Sequence, residues 1–231
     1  TTPLKGSPVA TQKLRMDRFF SSPGINPLDE VSYIKTSSRI KDTDGKTVFG
    51  LQDVEVPANW TQLAVDILVS KYFRKAGLPN QGHETSVRQV IHRIAHTLRT
   101  YGEQNGYFDA ESAEVFEGEL SYLLIHQMGA FNSPVWFNLG LWHDYGIVGS
   151  GGSFRFSPET ARVETTRTAY EHPQCSACFI QSVDDDLMSI FELVKNEARL
   201  FKYGSGTGTN FSKIRGSVEK LSGGGTSSGL M

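Results

Sequence analysis

The sequence predicts an α/β protein, with a mainly helical N-terminal region carrying a small β-hairpin and a parallel α/β unit after it. Three patterns carry this reading. Apolar residues recur at helical spacing through the first half of the chain, and Asp44-Gly45 separates two stretches in which β-branched and aromatic residues alternate with polar ones. Between Ala177 and Ile214 a β-prone segment, an amphipathic helix and a second β-prone segment follow one another, which is the pattern of a βαβ crossover and hence of a parallel sheet. With 231 residues, 38% hydrophobic and 21% charged, the chain has apolar material for a core, which excludes disorder, collagen and coiled coil.

Taken in order, residues 1–30 carry Pro3, Pro8, Pro23 and Pro27 with little periodicity and read as an extended, weakly ordered leader. Residues 31–130 form the hairpin and helical region. Its strands run from Ser32 to Ile40 and from Lys46 to Val56. Pro57-Ala58-Asn59 then opens a helix, with Asn59 as N-cap and Leu63, Ala64, Ile67, Leu68 and Tyr72 as its apolar stripe toward Gly77. A second helix spans Thr85 to Gly102, and Asp109 caps a third that runs toward Gly129.

Composition shifts at Phe131, where residues 131–231 begin. Phe131 to Asn138 is aromatic and β-prone around Ser133-Pro134, and Leu141 to Thr168 reads as a long Gly- and Ser-rich loop. The strand Ala177–Val183 leads into Asp184-Asp185-Asp186, whose charge suits a helix N-terminus, and a helix with the stripe Leu187, Ile190, Phe191, Val194, Ala198 and Phe201. Gly204 closes that helix, Ser205 to Gly208 turns the chain, and Thr209 to Ile214 is the returning strand.

The 23 basic and 25 acidic side chains give a net charge of −2, so no blanket of positive potential calls for nucleic acid as an obligatory partner. No run approaches the roughly 18–20 apolar residues of a membrane helix, and Thr1 to Arg18 lacks the apolar stretch of a signal peptide. The chain reads as cytoplasmic. Its two cysteines, Cys175 and Cys178, are too few and too close to staple a secreted fold.

Those cysteines invite three readings. Zinc needs four ligands, and beyond His172 no second pair follows at usable spacing. A thioredoxin-type pair sits at a helix N-terminus, whereas Cys178 enters a strand, where residues three apart point to opposite faces. The remaining functional reading is a single useful thiol, Cys178, sharing a face with Ile180 and Ser182; against it stands a small buried core residue. Gly204-Ser-Gly-Thr-Gly208 fits neither the Rossmann nor the Walker template, which leaves close backbone approach by a ligand or a simple helix cap with a tight crossover. Lys202 and Arg215 flank it and suit a phosphate. His92 and His96 have the spacing of a metal pair but read as surface or core-edge residues, and Trp136, Phe137 and Trp142 as packing residues.

Several stretches together resemble the adenosylcobalamin-dependent (class II) ribonucleotide reductases: Tyr33-Ile-Lys and Asp53-Val-Glu-Val-Pro57, Ser70-Lys-Tyr-Phe-Arg74, Asn132-Ser-Pro-Val-Trp-Phe-Asn138, Gln174-Cys-Ser-Ala-Cys-Phe179, and Phe201-Lys-Tyr-Gly-Ser-Gly-Thr-Gly-Thr-Asn210 with Ile214-Arg215. The resemblance implies a ten-stranded α/β barrel behind a helical region, of which this chain holds the first strands and helices. It implies an oxidoreductase of DNA synthesis that reduces ribonucleotides at the 2′ carbon by cysteinyl-radical chemistry and leaves a disulfide.

By the same carry-over, Cys178 is the first cysteine of the redox pair, and Ser133, Ala177, Cys178 and Gly206 contact substrate. Asp185, Leu187, Lys202 and Arg215 hold an allosteric deoxynucleoside triphosphate at a homodimer interface. Adenosylcobalamin is the implied cofactor and a thioredoxin-like or other dithiol the implied reductant. The radical cysteine, the second redox cysteine and most cobalamin contacts of the family have no counterpart between Thr1 and Met231. The resemblance therefore implies a fragment, or one part of a split enzyme completed by a C-terminal partner chain, inactive alone. The rivals are a non-catalytic deoxynucleotide-binding or dimerisation module, and a thiol oxidoreductase using Cys175 with Cys178.

Overall fold

The computed structural model describes residues 12–41, 43–79 and 82–229. The elements are β1 (Tyr33–Lys41), β2 (Thr47–Pro57), α1 (Gln62–Ile67), α2 (Val87–Gln104), α3 (Ala110–Ile125), α4 (Ser133–Asn138), α5 (Leu141–Tyr145), β3 (Phe154–Ser157), β4 (Arg162–Thr165), β5 (Cys178–Ser182), α6 (Leu187–Lys202) and β6 (Gly206–Asn210). They form two compact units, one containing the chain to Phe131 with Leu139–Ile147, the other Asn132–Asn138 with the chain from Val148.

In the first unit β1 and β2 pair antiparallel around a turn in which Gly45 takes φ +79°, the conformation Asp44-Gly45 predicts. Val54 and Val56, alternate residues of β2, are fully buried. The helix after the hairpin departs from expectation. Pro57 ends β2, the N-cap is Thr61 rather than Asn59, and α1 widens into a π-turn at Leu68–Tyr72. The later start and the wider turn rotate the face, so Val65, Leu68 and Val69 are buried while Leu63 is exposed. α2 begins with a full capping box: Ser86 caps, and Gln89 reaches back to the Ser86 N–H. Its Val87, Val90, Ile91, Ile94 and Ala95 are buried, and α3 starts at Asp109 as its sequence predicts.

Two polar arrangements lock this unit. Arg93 and Glu84, both fully buried, pair at 2.7 Å; Arg93 also donates to the Leu139 carbonyl at 2.6 Å, and Glu84 accepts from the Arg74 N–H and the Tyr145 hydroxyl. With these partners the charges are satisfied, as burial requires. The second concerns the leader. Residues 1–11 lie outside the described residues, but from Leu14 on the segment is tied down rather than weakly ordered. Glu119 accepts the N–H groups of Phe19, Phe20 and Ser21 and the Ser21 hydroxyl, the last at 2.6 Å, while Arg18 pairs with Glu114.

In the second unit Phe131–Asn138 is not β-structure: Ser133–Asn138 forms the short helix α4, with Pro134 in its first turn, where its missing N–H costs nothing. Leu141–Thr168 is likewise not one loop. It holds α5, which packs in the first unit, and the antiparallel hairpin β3–β4 in the second. β5, α6 and β6 make the expected crossover with a parallel pairing from Cys178↔Gly206 to Ser182↔Asn210. The returning strand starts at Gly206, so the glycine segment is the strand itself, and the chain leaves it at Phe211. Among the described residues the sheets are three two-stranded pairs, with no closed barrel.

Candidate functional site

The β5–β6 pair has two chemically different faces because its register is fixed and side chains alternate. On one face Thr207 and Thr209 donate to Glu197 of α6 at 2.9 and 3.2 Å, which ties the helix to that side. On the other lie Cys178, Ile180 and Ser182, paired across with Gly206, Gly208 and Asn210. Glycine at alternate positions of β6 strips this face of side chains next to Cys178. The Gly206 N–H donates to the Ala177 carbonyl at 2.6 Å, and a methyl group on Gly206 would lie 4.0 Å from the Cys178 sulfur. The result is an exposed thiol flanked by bare backbone.

Cys178 is exposed and Cys175 half-buried, and both are free thiols. Burial pushes the Cys175 thiol up to about 11, so it is a poor nucleophile at neutral pH. This separates two cysteines that differ little in sequence context. The exposure of Cys178 sets aside the buried-core reading for that residue.

The structure brings Ala177, Cys178 and Gly206 together. Ser133 is the exposed first residue of α4. The far end of that helix reaches the same neighbourhood, with the Asn138 amide donating to the Gln174 carbonyl at 3.1 Å and Phe137 lying against Gly204. A Cβ on Gly204 would sit 2.7 Å from the Phe137 ring, and φ is +84° there. Glycine at 204 thus closes α6 and admits Phe137.

At the start of α6 the acidic triplet does three separate jobs rather than forming one patch for the helix dipole. Asp186 is the N-cap, accepting the Ser189 N–H at 3.0 Å; Asp185 pairs with Arg215 at 2.6 Å; Asp184 pairs with Lys213 at 2.8 Å. Arg215 is therefore held by a carboxylate, and an anion meeting it has to compete. Lys202, at the other end of α6, is exposed with its ammonium 5.4 Å from the Tyr203 ring. The α6 stripe is the largest departure in burial. Leu187, Phe191, Val194 and Phe201 are exposed, and only Leu193, outside that stripe, is buried on this helix.

Of the two organisers of this site, Glu197 and Phe137, sequence reasoning missed the first and read the second as a packing residue, in keeping with its contact with Gly204. The alternation Gly206-Thr-Gly-Thr209 is the signal for the first, since it encodes one hydroxylated and one bare face. His92 and His96 stack at 5.1 Å, with His96 Nδ1 3.2 Å from Glu117; His92 is exposed and His96 half-buried, within the surface or core-edge reading. Among the described residues no three His, Cys, Asp or Glu side chains are grouped as ligands for a metal ion. No helix among them is long and apolar enough to cross a membrane.

A family profile described as class II vitamin B12-dependent ribonucleotide reductase matches residues 34–127, and the ribonucleotide reductase barrel-domain profile matches residues 176–231. The chain is 46% identical to the vitamin B12-dependent ribonucleotide reductase of Agrobacterium fabrum, over 94% of this chain and 20% of that protein. The same enzyme of Rhodopirellula baltica is 46% identical over 92% of this chain and 20% of its own length. That of Streptomyces clavuligerus is 41% identical over 98% and 21%. The chain spans about a fifth of the length of these relatives.

Proposed function

Because this chain belongs to the class II vitamin B12-dependent ribonucleotide reductases, we propose that it supplies the first redox cysteine, part of the substrate site and the effector surface of an enzyme that converts ribonucleotides to 2′-deoxyribonucleotides. The observation that carries this reading is the exposed Cys178 thiol on the bare face of β5–β6 beside Gly206. In the reaction the 2′-hydroxyl leaves as water while two thiols, Cys178 and a cysteine outside this chain, are oxidised to a disulfide. An external dithiol, thioredoxin-like or other, then reduces that disulfide. The face beside Cys178 is open enough for a ribose to reach the sulfur, with the Ala177–Cys178 backbone and Gly206 against the sugar and Ser133 toward the phosphate.

Cobalamin is the cofactor of this family and supplies its radical chemistry. The family's chemistry uses three cysteines and these 231 residues carry two, so in this reading turnover needs the remaining polypeptide. In this reading β5–α6–β6 is the opening unit of a ten-stranded barrel, which pairs its free sheet edges with strands of the remaining polypeptide. The exposed stripe of α6 pairs with the same helix of a second copy. Asp185, Leu187, Lys202 and Arg215 hold a deoxynucleoside triphosphate at that junction, its phosphates taking Arg215 from Asp185.

The test combines the chain with the remaining polypeptide, adenosylcobalamin, a ribonucleotide and a dithiol. Deoxyribonucleotide forms, and Cys178→Ser abolishes it; undiminished turnover in that variant overturns the assignment. Because the α6 surface and the Asp185–Arg215 pair need no thiol, a non-catalytic deoxynucleotide-binding module is the second reading. It is supported if calorimetry finds binding that Lys202→Ala weakens while Cys178→Ser leaves turnover unchanged.

A further inference from the structure

The β3–β4 hairpin has its polarity inverted. Phe154, Phe156 and Val163 are 51, 61 and 69% exposed, while Ser157 is buried and Arg155 and Glu164 are half-buried, pairing at 4.0 Å. A two-stranded sheet with solvent on its outer side normally shows the reverse. The register puts Phe156 opposite Val163 and Phe154 opposite Thr165, so these side chains form one continuous face.

This face adjoins α6. The Arg199 guanidinium lies 4.9 Å from the Phe154 ring, and the Tyr203 hydroxyl donates to the Gly151 carbonyl at the hairpin base. At about 100° per residue, Arg199 flanks the stripe of Leu187, Phe191, Val194, Ala198 and Phe201 on its Met188 side. The hairpin thus continues the exposed apolar surface of the helix sideways.

We propose that the outer face of the β3–β4 hairpin packs against a second copy of this chain, extending the self-association surface of α6. The proposal rests on the dimer reading above and adds a second contact to it. Area favours it. Taking roughly 200 Å² for a whole aromatic side chain and somewhat less for Leu, Met and Val, the exposed parts of Leu187, Met188, Phe191, Val194 and Phe201 come to about 600 Å². A pair of such stripes buries at most about 1,200 Å², the lower edge of a stable interface. Phe154, Phe156 and Val163 add roughly 350 Å² per copy and bring the pair to about 1,900 Å². A two-fold interface is self-complementary, so one apolar patch of this kind serves both copies.

The test is sedimentation of the full chain across a concentration series, for wild type, Phe156→Asp/Val163→Asp and Leu187→Asp/Val194→Asp, with circular dichroism confirming that each is folded. The proposal expects a wild-type dimer whose dissociation constant rises at least tenfold in the hairpin variant and in the helix variant. A hairpin variant within twofold of wild type overturns the hairpin contact and leaves the helix reading standing. A wild-type monomer at all concentrations overturns both. If the hairpin variant fails to fold, amide exchange of the wild type decides: protection of residues 154–157 and 162–165 that grows with concentration supports the contact, and unchanged protection overturns it.

Discussion

Gly204→Ala should unfold the second unit far more readily, while Gly206→Ala, two residues on, should leave its stability nearly untouched. At 204 the added methyl meets the Phe137 ring at 2.7 and 3.0 Å, and φ of +84° is a conformation that L-residues adopt at a cost. The backbone contribution is about 1–2 kcal/mol, and forcing a methyl into a filled contact adds about 1–3 kcal/mol. The sum is about 2–5 kcal/mol. With an m-value near 2 kcal/mol per molar urea, the midpoint falls by about 1–2.5 M. At 206 the methyl would lie 3.6 Å from the Ala177 carbonyl oxygen and 4.0 Å from the Cys178 sulfur, ordinary contact distances, and the expected change is below about 0.5 kcal/mol. That methyl occupies the bare face beside the thiol, so deoxyribonucleotide formation by the assembled enzyme should drop sharply in the stable variant. Urea unfolding followed by tryptophan fluorescence reads the first quantity and turnover the second. Equal midpoints for Gly204→Ala and wild type would falsify the account of how α4 is held against the end of α6.

The buried ion pair gives a second test. Arg93→Met leaves the Glu84 carboxylate buried without its cation and the Leu139 carbonyl without a donor, and should cost about 3–5 kcal/mol in thermal or urea unfolding; a loss below 1 kcal/mol refutes the pairing. Alkylation with iodoacetamide at pH 8, followed by mass spectrometry, should label Cys178 and largely spare Cys175. With its thiol near 11, only about one Cys175 in a thousand is ionised at that pH, and its labelling should rise about tenfold per pH unit up to about pH 10. Similar rates at pH 8 contradict this assignment. Glu119 links the N-terminal segment to pH. Burial disfavours its charge, but the Ser21 hydroxyl and the N–H groups of Ser21, Phe20 and Phe19 outweigh it and hold the carboxyl below its ordinary 4.5. The stabilisation is therefore complete above about pH 4.5 and is lost as pH falls through the lower folded value. Proteolysis within residues 12–28 should accelerate in that acid range, and in Glu119→Gln at neutral pH; an unchanged cleavage rate in the variant speaks against the tether.

The hairpin, α2, α3 and the β5–α6–β6 crossover were legible because each is written in local chemistry. Asp44-Gly45 dictates its turn, Ser86 and Asp109 cap the helices that follow them, and alternation along Cys178–Ser182 sets which side chains share a face. Boundaries failed where two local signals competed. Pro57 could open a helix or end a strand, and only pairing with β1 decides for the strand. Ser133-Pro134 in an aromatic context could belong to a strand edge or a first helical turn, and the anchoring of Phe137 and Asn138 accompanies the helix.

By itself the sequence determined the family and the order of the main elements, since motifs and periodicity are properties of neighbours along the chain, while the residues proposed to carry the chemistry come from the resemblance. Tertiary structure alone decided the partners. It bound Arg215 to Asp185, tethered the leader to Glu119, gave the two faces of β6 different surroundings and left the stripe of α6 and the face of the β3–β4 hairpin in solvent. Apolar spacing specifies that a face has to be covered. What covers it, this chain or another copy, depends on residues distant in sequence, because burial is set by which surfaces meet in three dimensions.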